Sequence, residues 1–111
     1  MITEEDIDRA LEYLRDSAKG ASVARSQAKI LEKYVAVVEA QQKQLRLGKE
    51  SNAAAQDAAR ASPEYRLALD AWAEAVRMDS EYSMLREAAA ARIEAWRSME
   101  ATRRAEGRAY G

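Results

Sequence analysis

The chain has 111 residues, 18 basic and 19 acidic side chains and a net charge of −1, with no cysteine and no histidine. One domain is the most this length supports. A composition one-third charged, with one Pro and no Phe, belongs to long helices rather than sheets, and disulfides, thiolate metal sites and histidine-based acid–base catalysis are excluded.

The opening Met1-Ile2-Thr3-Glu4-Glu5-Asp6 is acidic, without a basic segment or an apolar core, so no signal peptide is expected. Thr3 with Asp6 three residues on is a capping-box-like start, and Glu4 and Glu5 suit the positive end of a helix dipole. Ile7, Ala10, Leu11, Leu14 and Ala18 follow at helical spacing. Gly20 interrupts this stripe, at about 1 kcal/mol relative to Ala in a helix interior. The first arm either breaks there, with Ser22 capping the next helix, or runs on through a weak point.

From Ala24 the pattern is cleaner. Ala24, Ala28, Leu31, Val35, Val38, Gln42 and Leu45 alternate in steps of four and three, the seam of a coiled coil, with Gln42 as its one polar position. Val23, Ile30, Tyr34 and Val37 widen the stripe beyond what one neighbouring helix covers. Gly48 supplies a C-terminal stop. The alanine-rich segment 51–61 has no large apolar residue and reads as a mobile, partly helical connection with little to bury. Ser62-Pro63-Glu64 is the sharpest boundary in the chain: a Ser cap, Pro at the first helical position and an acid in the first turn. Beyond it Tyr65, Leu69, Trp72 and Val76 form a stripe, the phase slips near Met78-Asp79-Ser80, and Tyr82, Leu85, Ala89, Ile93 and Trp96 resume it.

These signals describe an all-α chain forming a single helical domain over 1–111. A first arm spans 3–47, a connection 48–62, a second arm 63–106 and a basic tail 107–111, and the arms fold into an antiparallel helical hairpin. Charge supports that direction. Residues 1–22 carry net −3, 23–49 net +4, 63–91 net −3 and 92–111 net +2, so antiparallel arms set opposite charges side by side. Mirroring the arms about residue 55 places Gly20 opposite Ala90, Leu14 opposite Trp96 and Val38 opposite Trp72.

No serine has a histidine partner or sits in a GxSxG elbow, and no glycine loop suits a phosphate. The protein is therefore expected not to be an enzyme and to need no cofactor or metal. Arg25, Lys29 and Lys33 recur every four residues, a stripe that either tracks a phosphate backbone or salt-bridges the acidic half of the second arm at Asp70, Glu74, Asp79 and Glu81. Salt bridging is the commoner outcome. Arg103, Arg104 and Arg108, with Tyr110, give the tail the chemistry of a partner or nucleic-acid contact. Trp72, Trp96, Tyr65 and Tyr82 fit the core better than base-stacking platforms. The flank Val23, Ile30, Tyr34 and Val37 is the candidate partner-binding surface, with self-association into a dimer of hairpins as the economical way to cover it. No run reaches the roughly 20 apolar residues of a membrane span, so the expected location is cytoplasmic.

Residues 88–97, Ala-Ala-Ala-Ala-Arg-Ile-Glu-Ala-Trp-Arg, together with Ser62-Pro63-Glu64-Tyr65, make the chain resemble small α-helical accessory proteins encoded in bacteriophages and prophages. Their genes tend to lie in early regions near recombination and replication functions. The resemblance implies a viral protein acting in a bacterial host cell by binding a phage or host protein, either in phage DNA metabolism or as an inhibitor of a host defence enzyme. It brings no catalytic residues with it. The secreted WxG hairpins match less well, because Trp72 and Trp96 lie inside the second arm rather than at the turn.

Overall fold

The computed structural model describes residues 1–110 and, of Tyr110, only the backbone. The order of elements is α1 (Glu4–Gln44), α2 (Asn52–Arg60) and α3 (Pro63–Tyr110), with no strand among the described residues. The chain is all-helical. Its helices contribute to two compact units, Met1–Ala21 with Glu81–Gly111, and Ser22–Ser80.

The first helix starts as its capping box dictates. Asp6 accepts from the Thr3 amide at 2.9 Å and Thr3 Oγ1 accepts from the Asp6 amide at 3.1 Å. In the first unit α1 and α3 run antiparallel. Ile7 and Ala10 are buried with Ala89 and Ile93, while Tyr13, Leu14 and Trp96 pack half-buried against them. Further along α1, Arg86 of α3 donates through Nη1 to the Leu14 carbonyl and to Ser17 Oγ, each at 2.7 Å. Ser17 is thereby the buried residue at this level, while Ala18 and Leu11, expected inside, are exposed. One neighbouring helix covers only a narrow row, and at this level the contact between the helices is the Arg86 guanidinium on Leu14 and Ser17.

Gly20 does not break α1. The Tyr82 ring lies where a side chain would be: a β-carbon built there would stand 2.5 Å from the Tyr82 hydroxyl oxygen and 2.9 Å from Cζ. Packing the ring into this notch offsets the propensity cost of the glycine. It also corrects the register, since Gly20 faces Tyr82 and not Ala90, a shift of roughly two helical turns. Pairing small with small is not the rule here. A missing side chain receives a ring.

In the second unit Val35 and Val38 of α1 bury against Ala68 of α3, with Tyr65, Leu69 and Trp72 packed around them. The chain reverses through Gly48, which takes a positive φ of 94°, and then through α2. That helix is the largest departure from expectation. Ala55 and Ala59 have 0% and 1% exposure, the most buried residues of the core, and Gln56 and Arg60 donate to Glu39 Oε1 at 3.2 and 3.0 Å. Lack of a large side chain does not leave the segment loose; it lets the backbone approach closely. Ser51 caps α2 by accepting from the Ala54 amide, and Ser62 closes one helix and opens the next, donating to the Ala59 carbonyl and accepting from the Tyr65 amide. At the other end α3 continues through Gly107 to Tyr110, so the tail begins as helix rather than as a separate segment.

Substituting Gly20→Ala gains about 1 kcal/mol of helix propensity but must displace the Tyr82 ring, an overpacking cost of roughly 1–3 kcal/mol. The variant is expected to lose stability in urea denaturation. In a Tyr82→Ala background the same change should stabilise; equal effects in both backgrounds would remove the notch from the account. A second expectation concerns pH. Hydrogen bonds from Gln56 and then Arg60 hold the Glu39 carboxyl below its ordinary value of 4.5. The stability it lends is therefore full above 4.5 and lost as pH falls through the lowered value. The difference in urea stability between the wild type and Glu39→Gln should shrink below that pH, and one that grows on acidification contradicts the contact.

Candidate interaction surfaces

The inner row of α1 in the second unit holds Ala24, Ala28, Val35 and Val38, all buried. One position back from Ala24, Leu31, Val35 and Val38 lie Val23, Ile30, Tyr34 and Val37, with exposures of 55%, 64%, 50% and 49%. Successive residues turn by about 100°, so the second row sits beside the first, just outside the strip that α3 covers. Spacings of seven, four and three keep the four side chains in line. They form an apolar row with no partner among the described residues.

Arg25, Lys29 and Lys33 lie on the side of the same helix turned away from the buried row. All three are exposed, and among the described residues none forms an ion pair or a side-chain hydrogen bond. The expected bridges to the acids of the second arm are not made. Glu74 instead takes Arg77 of its own helix at 2.6 Å, and most ion pairs among the described residues join neighbours three or four positions apart. Glu39–Arg60, at 3.0 Å, does join two helices. Local pairs win because one helical turn already places both groups within reach, whereas a bridge across helices needs both stems to be aimed at the seam.

The tail residues belong to the other unit. Arg103 is paired with Glu100 at 3.2 Å, while Arg104 and Arg108 are exposed and unpaired among the described residues. The Tyr110 side chain, also singled out from sequence, lies outside the described residues. Trp72, Trp96, Tyr65 and Tyr82 are half-buried and belong to the packing. The first unit has a groove of about 210 Å³ lined by Arg9, Ala10, Tyr13, Leu85, Ala89 and Arg92. Arg9 is already engaged by Asp6 at 3.1 Å.

Known protein families, characterised proteins and solved structures contain no match to this chain. Among the described residues no cluster of three or more acids is arranged to hold a metal ion, and no helix is long and apolar enough to cross a membrane. Sequence reading missed Leu67 and Met84 of α3, each 69% exposed; lying off the stripe, they carried no signal that set them apart from ordinary surface residues.

Like charges at i,i+4 destabilise a helix by a few tenths of a kcal/mol per pair, and Glu at the same spacing reverses the sign. Lys29→Glu, between Arg25 and Lys33, is therefore expected to raise stability by about 0.5–1 kcal/mol in thermal or urea unfolding. The new repulsion with Glu32, three residues on, offsets part of this gain, and a loss of stability that persists in a Glu32→Gln background would mean that Lys29 has an acidic partner on another helix.

Proposed function

We propose that this protein is a non-catalytic helical module that works by binding a protein along the outer row of α1, as an accessory factor in bacteriophage DNA metabolism. The observation that carries the reading is the row itself: Val23, Ile30, Tyr34 and Val37, each about half exposed or more, in line on one helix. Leaving four large apolar side chains about half in water forfeits roughly half of the 1.5–3 kcal/mol that full burial of each would contribute, and a contiguous apolar patch of this kind marks an interaction surface. The setting follows from the resemblance of residues 88–97 and Ser62-Pro63-Glu64-Tyr65 to small phage-encoded helical proteins.

A second reading has its own support. Arg25, Lys29 and Lys33 are exposed and unpaired among the described residues, which leaves them available to a phosphate backbone. Inhibition of a host defence enzyme is a form of the first reading, differing only in the protein bound.

The tagged chain, immobilised and challenged with a lysate of phage-infected bacteria, separates these. A protein retained by the wild type and by the Arg25→Ala/Lys29→Ala/Lys33→Ala triple variant, yet lost on Ile30→Glu, is the expected result. DNA retained at low salt, released as salt rises and lost in the triple variant would establish the second reading in its place.

A further inference from the structure

The exposed apolar row of α1 is part of a longer regularity. Reading every position on that side of the helix gives Val23, Gln27, Ile30, Tyr34, Val37 and Gln41, in steps of four and three without interruption. The buried seam beginning at Ala24 has the same steps, displaced by one residue. A helix with two adjacent 3.5-residue repeats is built to meet two helices, one on each seam. Within the Ser22–Ser80 unit α3 fills the inner seam. All six residues of the outer seam are exposed.

Three features of the outer seam select its occupant. It is free of charge along three heptads, in a chain that is one-third charged, so nothing on it recognises an acidic or basic ligand. Its rim is nearly neutral as well: Ser26, Lys33 and Ala40 follow one edge, too little charge to choose a foreign partner by e/g-type pairing. Its chemistry also alternates, with Gln27, Tyr34 and Gln41 in one set of layers and Val23, Ile30 and Val37 in the other. A parallel, in-register copy of the same helix places amide on amide, ring on ring and β-branched side chain on β-branched side chain. An antiparallel copy opposes Gln27 to Val37 and Gln41 to Val23, which buries amides without partners.

We propose that a second copy of this chain occupies the outer seam, α1 parallel to α1 and in register, with Gln27 and Gln41 setting the alignment. This deepens the protein-binding reading and rests on it. Each α1 then has both seams filled, one by its own α3 and the other by the α1 of its twin.

Sedimentation equilibrium and oxidation of single-cysteine variants test this, and the chain is convenient for the second because it has no cysteine of its own. The wild type should change from 12.4 kDa to twice that mass as concentration rises, and Ile30→Glu should remain at the single-chain mass with unchanged helical circular dichroism. Gln27→Cys and Gln41→Cys should each form same-site disulfide dimers. Cross-linking of Gln27→Cys to Val37→Cys chains in a mixture, with neither joining to itself, would overturn the parallel arrangement. A wild type monomeric at all concentrations overturns the second copy as occupant; if it still captures a protein that Ile30→Glu loses, the protein-binding reading survives that failure. A dimer indifferent to Ile30→Glu overturns the proposal by placing self-association elsewhere.

Discussion

Close approach of helix backbones across small side chains is the constraint from which the rest of this structure follows. In the first unit Ala10 and Ala89 are buried beside Ile7 and Ile93, and Gly20 receives the Tyr82 ring. In the second, Ala24, Ala28, Ala68 and Ala75 are buried, and Ala55 and Ala59 bring α2 down to almost zero exposure. Alanine adds little transfer energy of its own, but it admits a neighbouring backbone and has the best helix propensity. Among the described residues no large side chain is fully buried. The stability of the fold is thus distributed over many small contacts, caps and close approaches rather than concentrated in a bulky core.

That solution determines where the large apolar residues go. Helices that meet through alanine cover a narrow strip of one another, so Val23, Ile30, Tyr34 and Val37 are left outside the strip although only one position separates them from its centre. Interior and exposed apolar surface are two rows of one helix. The proposed function and the proposed self-assembly both draw on this geometry: the residues excluded from the fold are those that a second helix can cover. The basic stripe lies on a third row, free of the acids that sequence suggested as its partners, which keeps nucleic-acid contact as a distinct reading tied to distinct residues.

Much of the architecture was legible because its signals are local. The Thr3/Asp6 box, the Ser62-Pro63-Glu64 boundary and the inner seam from Ala24 to Val38 are decided within one or two helical turns, and each is where sequence placed it; α1 instead ends at Gln44, short of Gly48, and leaves Leu45, the expected last seam position, 72% exposed. The candidate flank was equally legible, as surplus apolar residues beside a seam already complete. What escaped depends on pairing at long range. Segment 51–61 holds no large side chain to signal burial in the sequence, and Ala55 and Ala59 pack through their smallness. The register was misplaced because mirror symmetry about residue 55 treats α2 as a neutral spacer and pairs small with small, while Gly20 accommodates a ring. Net charge by segment gave the correct antiparallel sense but the wrong contacts, since the ion pairs are mostly within helices.

Everything beyond the local signals turns on that register, and nuclear Overhauser contacts at Gly20 read it directly in the unmodified protein. The structure places the Tyr82 ring where a Gly20 side chain would stand, so strong cross-peaks are predicted between the Gly20 α-protons and the Tyr82 ring protons. Cross-peaks from Gly20 to the Ala90 methyl group instead would show the arms paired about residue 55, and would contradict the close-packed arrangement described here.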